Sequence, residues 1–360
     1  DIGLEWLKNG WDRERPFFLM HHFKAPHDMF KNAKRYDGYL EDATIPEPAN
    51  LHNQPAAGFG SVASRGYGSG LAKGHESWQL GRKLGIDQSL PNPEYTKANY
   101  QKYLKRYLRC VKGVDDNVKR LVDFLRAAGE LDNTIIHYSS DNGSYRQDRC
   151  GKLRGKKGSH HEGGHRVPGI FYWKGKIPGG RIEKEPAGAV DLLPTICGLL
   201  GIDKPKDVFL DGSDLTPLLT RTGSFERHQP LFWMNGSTMA MRMGDHTLLA
   251  PSTARLPFDN AKAKRLLEQT KLALGDDLEK ELGGLDLRSR MFNGRFANRE
   301  ANRLRDEFRA MFYFNAALIP LMKKGGVDRV QLYDLSKDLG QQNDIAKEHP
   351  KLVARMKKQA

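Results

Sequence analysis

Four short stretches carry side chains whose types and spacing could do chemistry. Asp141-Asn142 sets a carboxylate beside an amide oxygen, the hard donors that Ca²⁺ or Mg²⁺ takes. The plain alternative is an Asx turn before Gly143. His161-Glu162-Gly163-Gly164-His165 spells H-E-x-x-H, a zinc pattern that works only when a helix puts both imidazoles on one face. Two glycines fill the gap, each costing about 1 kcal/mol in a helix interior, and Pro168 follows, so the spelling alone argues poorly for zinc. Lys156-Lys157-Gly158 puts lysines on a glycine-flanked loop where an ammonium can approach an anion unhindered; a solvated basic loop reads the same. His27, after Pro26, offers an acid or a ligand, or a loop histidine with neither task.

The elements around them follow from local pattern. Phe17 to Phe23 is a short apolar run suited to a buried strand, and it delivers His27. Leu51 to Leu90 is rich in glycine (Gly58, Gly60, Gly66, Gly68, Gly70) and reads as a long, functional loop. Asn92-Pro93 marks a helix start with a capping side chain, helical spacing runs from Tyr100 to Leu125, and Gly129 is its stop. Thr134 to Tyr138 and Val167 to Trp173 read as strands, and Asp191 to Leu200 as a helix ended by Gly201. Strand, helix and strand in alternation imply parallel βαβ units in an α/β sheet, with ligands at strand carboxyl ends. His27 and Asp141-Asn142 lie at such ends.

After about residue 228 the texture changes. Leu231 to Trp233, Met239 to Met243 and Thr247 to Ala250 look like strands, with Gly244-Asp245 as a tight turn. A charged stretch from about 258 to 315 looks helical, Val330 to Tyr333 strand-like, and Pro350 to Lys358 a final helix. The expected organisation is therefore an α/β domain over 1–227 and a smaller α+β domain over 228–360, with a charged helical insertion at about 255–325.

The chain has 360 residues, 38% hydrophobic and 28% charged, which suits packed domains and excludes global disorder. Lys and Arg total 58 against 44 Asp and Glu, a net charge of +14 that favours anionic partners. The charges are dispersed and no nucleic-acid motif accompanies them, so nucleic acid is not expected. No run reaches the roughly 18 apolar residues of a membrane helix. Cys110, Cys150 and Cys197 make neither a zinc pattern nor a disulfide framework. Asp1 to Leu7 reads as amphipathic helix, with no signal peptide visible.

In order and spelling these pieces resemble the sulfatases, the formylglycine-dependent branch of the alkaline phosphatase superfamily. Phe17-Phe18-Leu19 through Ala25-Pro26-His27 is similar to their strand and His loop. Tyr103 through Val118 resembles their long helix, and Ser140-Asp141-Asn142-Gly143 their metal-binding strand end. Gly155 through Pro168 resembles the signature K-G-x-x-x-E-G-G-x-R-x-P. Asp191-Leu192-Leu193-Pro194-Thr195, Leu332 to Leu335 and Gln342-Asn343-Asp344 also fit. About 255–325 does not match.

The resemblance implies an alkaline-phosphatase-like sheet with flanking helices. It implies hydrolysis of a sulfate ester, of a sulfated small molecule or glycan, to alcohol and sulfate. Asp141 and Asn142 would be half of a Ca²⁺ site, with Mg²⁺ an alternative. Lys157 would contact the sulfate, and His27 would contact it and assist the leaving oxygen. The family's C/S-x-P-x-R nucleophile has no counterpart: Cys150 and Arg154 share its spacing, but Lys152 stands where Pro is required. The family's Asp-Asp metal pair near the N-terminus is absent too; Asp115-Asp116 sits inside the long helix and is no substitute. The expectation is a sulfatase lacking its N-terminal part, with formylglycine on a missing residue and this chain inactive alone. Family analogy implies an exported or lysosomal protein. Two other readings are a non-catalytic binder of sulfated glycans on a degenerate scaffold and a phosphate- or phosphonate-ester hydrolase; the Lys157 signature argues against the latter.

Overall fold

The computed structural model describes residues 2–359 apart from 28, 50, 53–69, 75–78, 145–150, 236–237, 252–258, 284–285 and 312–329. Most of the glycine-rich loop, and Cys150, thus lie outside the described residues. The chain divides into two compact units, Asp1–Gln229 and Pro230–Ala360.

The first unit is organised by a long helix. Helix α1 (Ile2–Asn9) packs on α2 (Asn92–Ala127). Tyr95, Asn99, Tyr103, Cys110 and Val114 recur at helical spacing on the buried side of α2. Tyr95, Tyr103 and Cys110 join Phe30, Leu51, Leu71 and Leu84 in one core. The carboxyl end of α2 is closed by Gly129 at φ +76°. Glu130 N–H donates to Leu125 O at 2.9 Å and Gly129 N–H to Arg126 O at 3.1 Å, a Schellman pairing that only a left-handed residue completes. The amino end departs from expectation: Pro91 occupies the cap position. Asn92 Oδ1 instead accepts the Lys73 N–H at 2.7 Å. Asp116 accepts hydrogen bonds from Tyr36 Oη at 3.0 Å and Lys112 Nζ at 2.5 Å, so this carboxylate is engaged in packing the helix.

The expected parallel βαβ order is not what the described strands form. Strands β1 (Ile136–Ser139) and β2 (Gly169–Tyr172) pair antiparallel, Ile136 opposite Tyr172 and Ser139 opposite Gly169. Among the described residues of the segment joining them there is no crossover helix, only a four-residue turn at Glu162–His165, and a parallel return needs such a crossover. Phe17 to Phe23 alternates between half-buried and exposed positions as a strand would, yet it belongs to no strand. Phe18 and Met20 are exposed. A hydrophobic pattern specifies an extended chain, but a strand also requires a ladder partner. Helix α3 (Leu192–Leu200) ends at Gly201, φ +66°, as expected.

The second unit holds a four-stranded antiparallel sheet in the order β3 (Leu231–Asn235), β4 (Thr238–Met243), β5 (His246–Pro251), β6 (Gln331–Asp334). Gly244-Asp245 makes the turn between Met243 and His246. Helices α4 (Asn260–Leu274), α5 (Leu287–Asn293) and α6 (Arg299–Ala310) form their own core around Leu266, Met291, Leu304 and Phe308. Asp259, Asp286 and Asn298 cap their first turns through side-chain oxygens. Helix α7 (Pro350–Gln359) lays Leu352, Val353 and Met356 on Met241, Leu248 and Leu332. Ala240, Leu249 and Tyr333, one residue out of phase along the same strands, cluster separately. No helix among the described residues is long and apolar enough to cross a membrane.

Candidate functional site

Asp141 and Asn142 sit in the bend that follows β1. Asp141 is exposed and Asn142 half-buried. The Asn142 amide nitrogen donates to the Asp141 carboxylate, so the two side chains lie against each other. Their oxygens suit a hard cation, but Ca²⁺ takes six to eight oxygen ligands, and this pair supplies only part of such a shell. No group of three or more His, Cys, Asp or Glu side chains able to hold a metal forms among the described residues.

Lys157 is brought to this bend through the backbone. Its N–H donates to Ser144 O at 2.7 Å, and Gly143 N–H donates to Gly164 O at 2.9 Å. Gly163 N–H closes the assembly on Arg154 O at 2.7 Å. Three neighbouring segments are thereby fixed together: the strand end, the lysine loop and the Glu-Gly-Gly turn. The Lys157 side chain is half-buried and forms no ion pair with any described residue. Ser144 was not visible as a functional position in the sequence, because its contribution is a carbonyl that any residue carries.

The glycines are explained by contact. A Cβ at Gly143 would stand 2.0 Å from Gly163 O, and one at Gly163 would stand 2.3 Å from Gly155 O. Gly143→Ala must therefore push the turn away from the strand end. The expected loss is about 1–3 kcal/mol, read as a lower unfolding midpoint. An unchanged midpoint would contradict this packing.

The H-E-x-x-H letters are put to another use. His161 is the extended residue before the turn, at φ −81°, ψ 162°. The Glu162 carboxylate, buried, receives His165 Nε2 at 3.2 Å and Arg166 Nη1 at 3.3 Å. Glu162 thus ties its own turn to the strand that follows.

His160 and His161 are buried, and neither Nδ1 nor Nε2 of His161 finds a hydrogen-bond partner among the described residues. Burial, with the charge of nearby His165, holds His160 down at about 4. Burial, then Arg154, His160 and His165, holds His161 down at about 3. Both rings are neutral at pH 7. As pH falls below 6.5 the unfolded chain takes up protons that the folded chain refuses until about pH 4 and pH 3. Stability should then drop by about 1.4 kcal/mol per pH unit for each ring. His161→Phe keeps the shape and should flatten this slope by about half, with thermal unfolding from pH 7.5 to 5 as the check; an unaltered slope would refute it.

His27 is exposed, in a turn where its N–H donates to Lys24 O at 3.0 Å. Neighbours Ala25 and Met29 pack on the α2 core. The backbone bonds that join Lys157 to the Asp141-Asn142 bend do not include this turn. Cys110 and Cys197 are buried free thiols.

The sequence pattern of the sulfatase family matches residues 3–202. An N-acetylglucosamine-6-O-sulfatase of Bacteroides thetaiotaomicron is 29% identical over 260 residues, 62% of this chain and 45% of that protein. An N-acetylgalactosamine-6-sulfatase of Sus scrofa is 34% identical over 148 residues, 39% of this chain and 28% of that protein. The chain thus spans less than half the length of these curated relatives. Among solved structures, BT4656 in complex with its substrate D-glucosamine-2-N,6-O-disulfate superposes with a TM-score of 0.58. The match covers 99% of this chain and 68% of that one at 19% identity, and it shows a shared fold.

Proposed function

Since this chain belongs to the sulfatase family, we propose that the protein hydrolyses a sulfate ester of a glycan, most specifically a 6-O-sulfate on an amino sugar. The carrying observation is the Lys157 amide bond to Ser144. It ties the Lys157 loop to the bend that carries Asp141 and Asn142, and the Lys157 side chain is in no ion pair among the described residues. A sulfate ester is an anion that gathers further charge on its bridging oxygen as the bond breaks. Cationic groups fixed around those oxygens in advance stabilise that charge without reorganisation. In this reading Lys157 binds the sulfate oxygens, and His27 gives a proton or hydrogen bond to the leaving oxygen. Asp141 and Asn142 are two ligands of a Ca²⁺ ion, which when bound acts as a Lewis acid. None of these residues is the nucleophile; they bind and orient the ester. The amino-sugar preference rests on the names of the two relatives, and activity outside the cytosol on family analogy.

The test is sulfate release by the full-length gene product, followed by ion chromatography, from N-acetylglucosamine 6-sulfate, N-acetylgalactosamine 6-sulfate, an aryl sulfate and an aryl phosphate. Release from the amino-sugar sulfates supports the reading. Faster turnover of the aryl phosphate would reassign the site to phosphate esters. Binding without turnover would reassign it to a non-catalytic receptor.

A further inference from the structure

We propose that helix α7 and the neighbouring edge of the second unit's sheet form a docking surface for a sulfated polysaccharide chain, apart from the residues assigned above to ester cleavage. The choice of polymer rests on the proposed function.

Helix α7 reads Pro-Lys-Leu-Val-Ala-Arg-Met-Lys-Lys-Gln, with four cations and no acid. Several cations on other helices of this chain pair with acids of the same helix. Lys112 pairs with Asp116, Lys119 with Asp123, and Arg303 with Glu300 and Glu307. Lys351, Arg355, Lys357 and Lys358 are all exposed and form no ion pair among the described residues; the nearest acid before the helix is Glu348.

Three of the four make a stripe. Lys351, Arg355 and Lys358 stand at i, i+4 and i+7, on one helical face. Leu352, Val353 and Met356 are spent on the sheet, so the stripe points away from it. It runs about 10 Å along the axis. Helix stability accounts for Lys357 and Lys358, in the last turn, but not for the start of the stripe. Cations help at the carboxyl end of a helix, whereas Lys351 stands in the first turn, where the macrodipole opposes it.

The sheet adds an apolar shelf beside this helix. Phe232 lies opposite Met241 in the β3–β4 register, and Met241 packs with Met356. Phe232 is therefore on the side of the sheet that α7 covers, at the uncovered edge strand. It is 47% exposed, and Met234, two residues on and on the same face, is 44% exposed. Phe232 and Lys357 line one shallow surface dent with Met241 and Leu248. An exposed ring with an ammonium beside it suits a sugar, whose C–H face stacks on the ring while its sulfate meets the cation. One ring gives one stacking surface, whereas single-stranded nucleic acid is gripped by successive rings.

The test uses the full-length protein and heparin as the polymer, with binding measured from 50 to 300 mM salt. Lys351→Gln/Arg355→Gln/Lys358→Gln should weaken heparin binding at least about tenfold and flatten its salt dependence. Phe232→Ala should weaken it about threefold or more. Turnover of a sulfated monosaccharide should stay within about twofold in the triple variant, while the KM for the polymer rises. Desulfated heparin should bind at least about tenfold less tightly. Unchanged heparin affinity in the triple variant would overturn the proposal. So would equal affinity for desulfated polymer, for phosphatidylserine vesicles or for oligothymidylate. Heparin binding through α7 without sulfate release would remove the hydrolase reading and leave the docking surface standing. Sulfate release with an indifferent α7 would do the reverse.

Discussion

Lys157→Ala is expected to lower sulfate-ester turnover by the full-length protein about 10²–10³-fold, the usual cost of deleting one group that faces developing charge. The fold should be untouched. The tether to Ser144 is made by the residue 157 backbone N–H, which alanine keeps, and the side chain is in no ion pair among the described residues. The unfolding midpoint should therefore stay within about 1 °C, as for substitutions that break no structural contact. Lys157→Arg tests the geometry. It restores charge but replaces a compact ammonium with a longer planar fork, so recovery should be partial. On the proposed function the Lys157 ammonium would meet the ester both before and during cleavage, so KM should rise as kcat falls. A Lys157→Ala enzyme with more than about a third of normal kcat/KM would take Lys157 out of the site.

The same lysine shows where a sequence stops being legible. Its neighbourhood was readable as letters, since the Lys157 to Pro168 signature and Asp141-Asn142 are contiguous strings. Their meeting was not, because it depends on Ser144 O and Gly164 O, and carbonyls leave no mark on composition. Helices were the most legible elements: α2, α3 and α7 each carry apolar spacing with a glycine or proline at a boundary, and the helix termini follow. The β4–β5 hairpin was legible for a similar local reason, the Gly244-Asp245 turn. The relation between β1 and β2 was not local. Two apolar runs separated by a long segment do not state their direction; the observed register does. Phe17 to Phe23 shows the same limit, an alternating run whose strand character depends on a partner elsewhere. His161 and Glu162 were readable as metal ligands or as a turn; burial and the bonds to His165 and Arg166 favour the turn.

Removing the Arg227 guanidinium is expected to destabilise the first unit by about 3–5 kcal/mol, the cost of leaving a buried charge without its partner. Asp191 is fully buried at the entry to α3, and Arg227 is nearly so. The guanidinium grips both carboxylate oxygens, Nη1 to Oδ1 at 2.8 Å and Nη2 to Oδ2 at 2.7 Å. The carboxylate also accepts Ser213 N–H on Oδ1 and Gly188 N–H on Oδ2, each at 2.7 Å. Arg227 further donates to Pro186 O at 2.8 Å. One carboxylate thus joins three chain segments around a helix start. Buried ion pairs can often be exchanged whole for apolar residues at little cost. Here that rescue should fail. Asp191→Leu with Arg227→Met removes both charges, yet it strands the amides of Gly188 and Ser213, each costing about 1–3 kcal/mol when buried unpaired. The double variant should therefore remain well below the parent in urea unfolding. Asp191→Asn should fall between, because its amide nitrogen would face one of the two backbone donors. Recovery of the double variant to parental stability would show the backbone amides to be dispensable. The local structure would then rest on the ion pair alone.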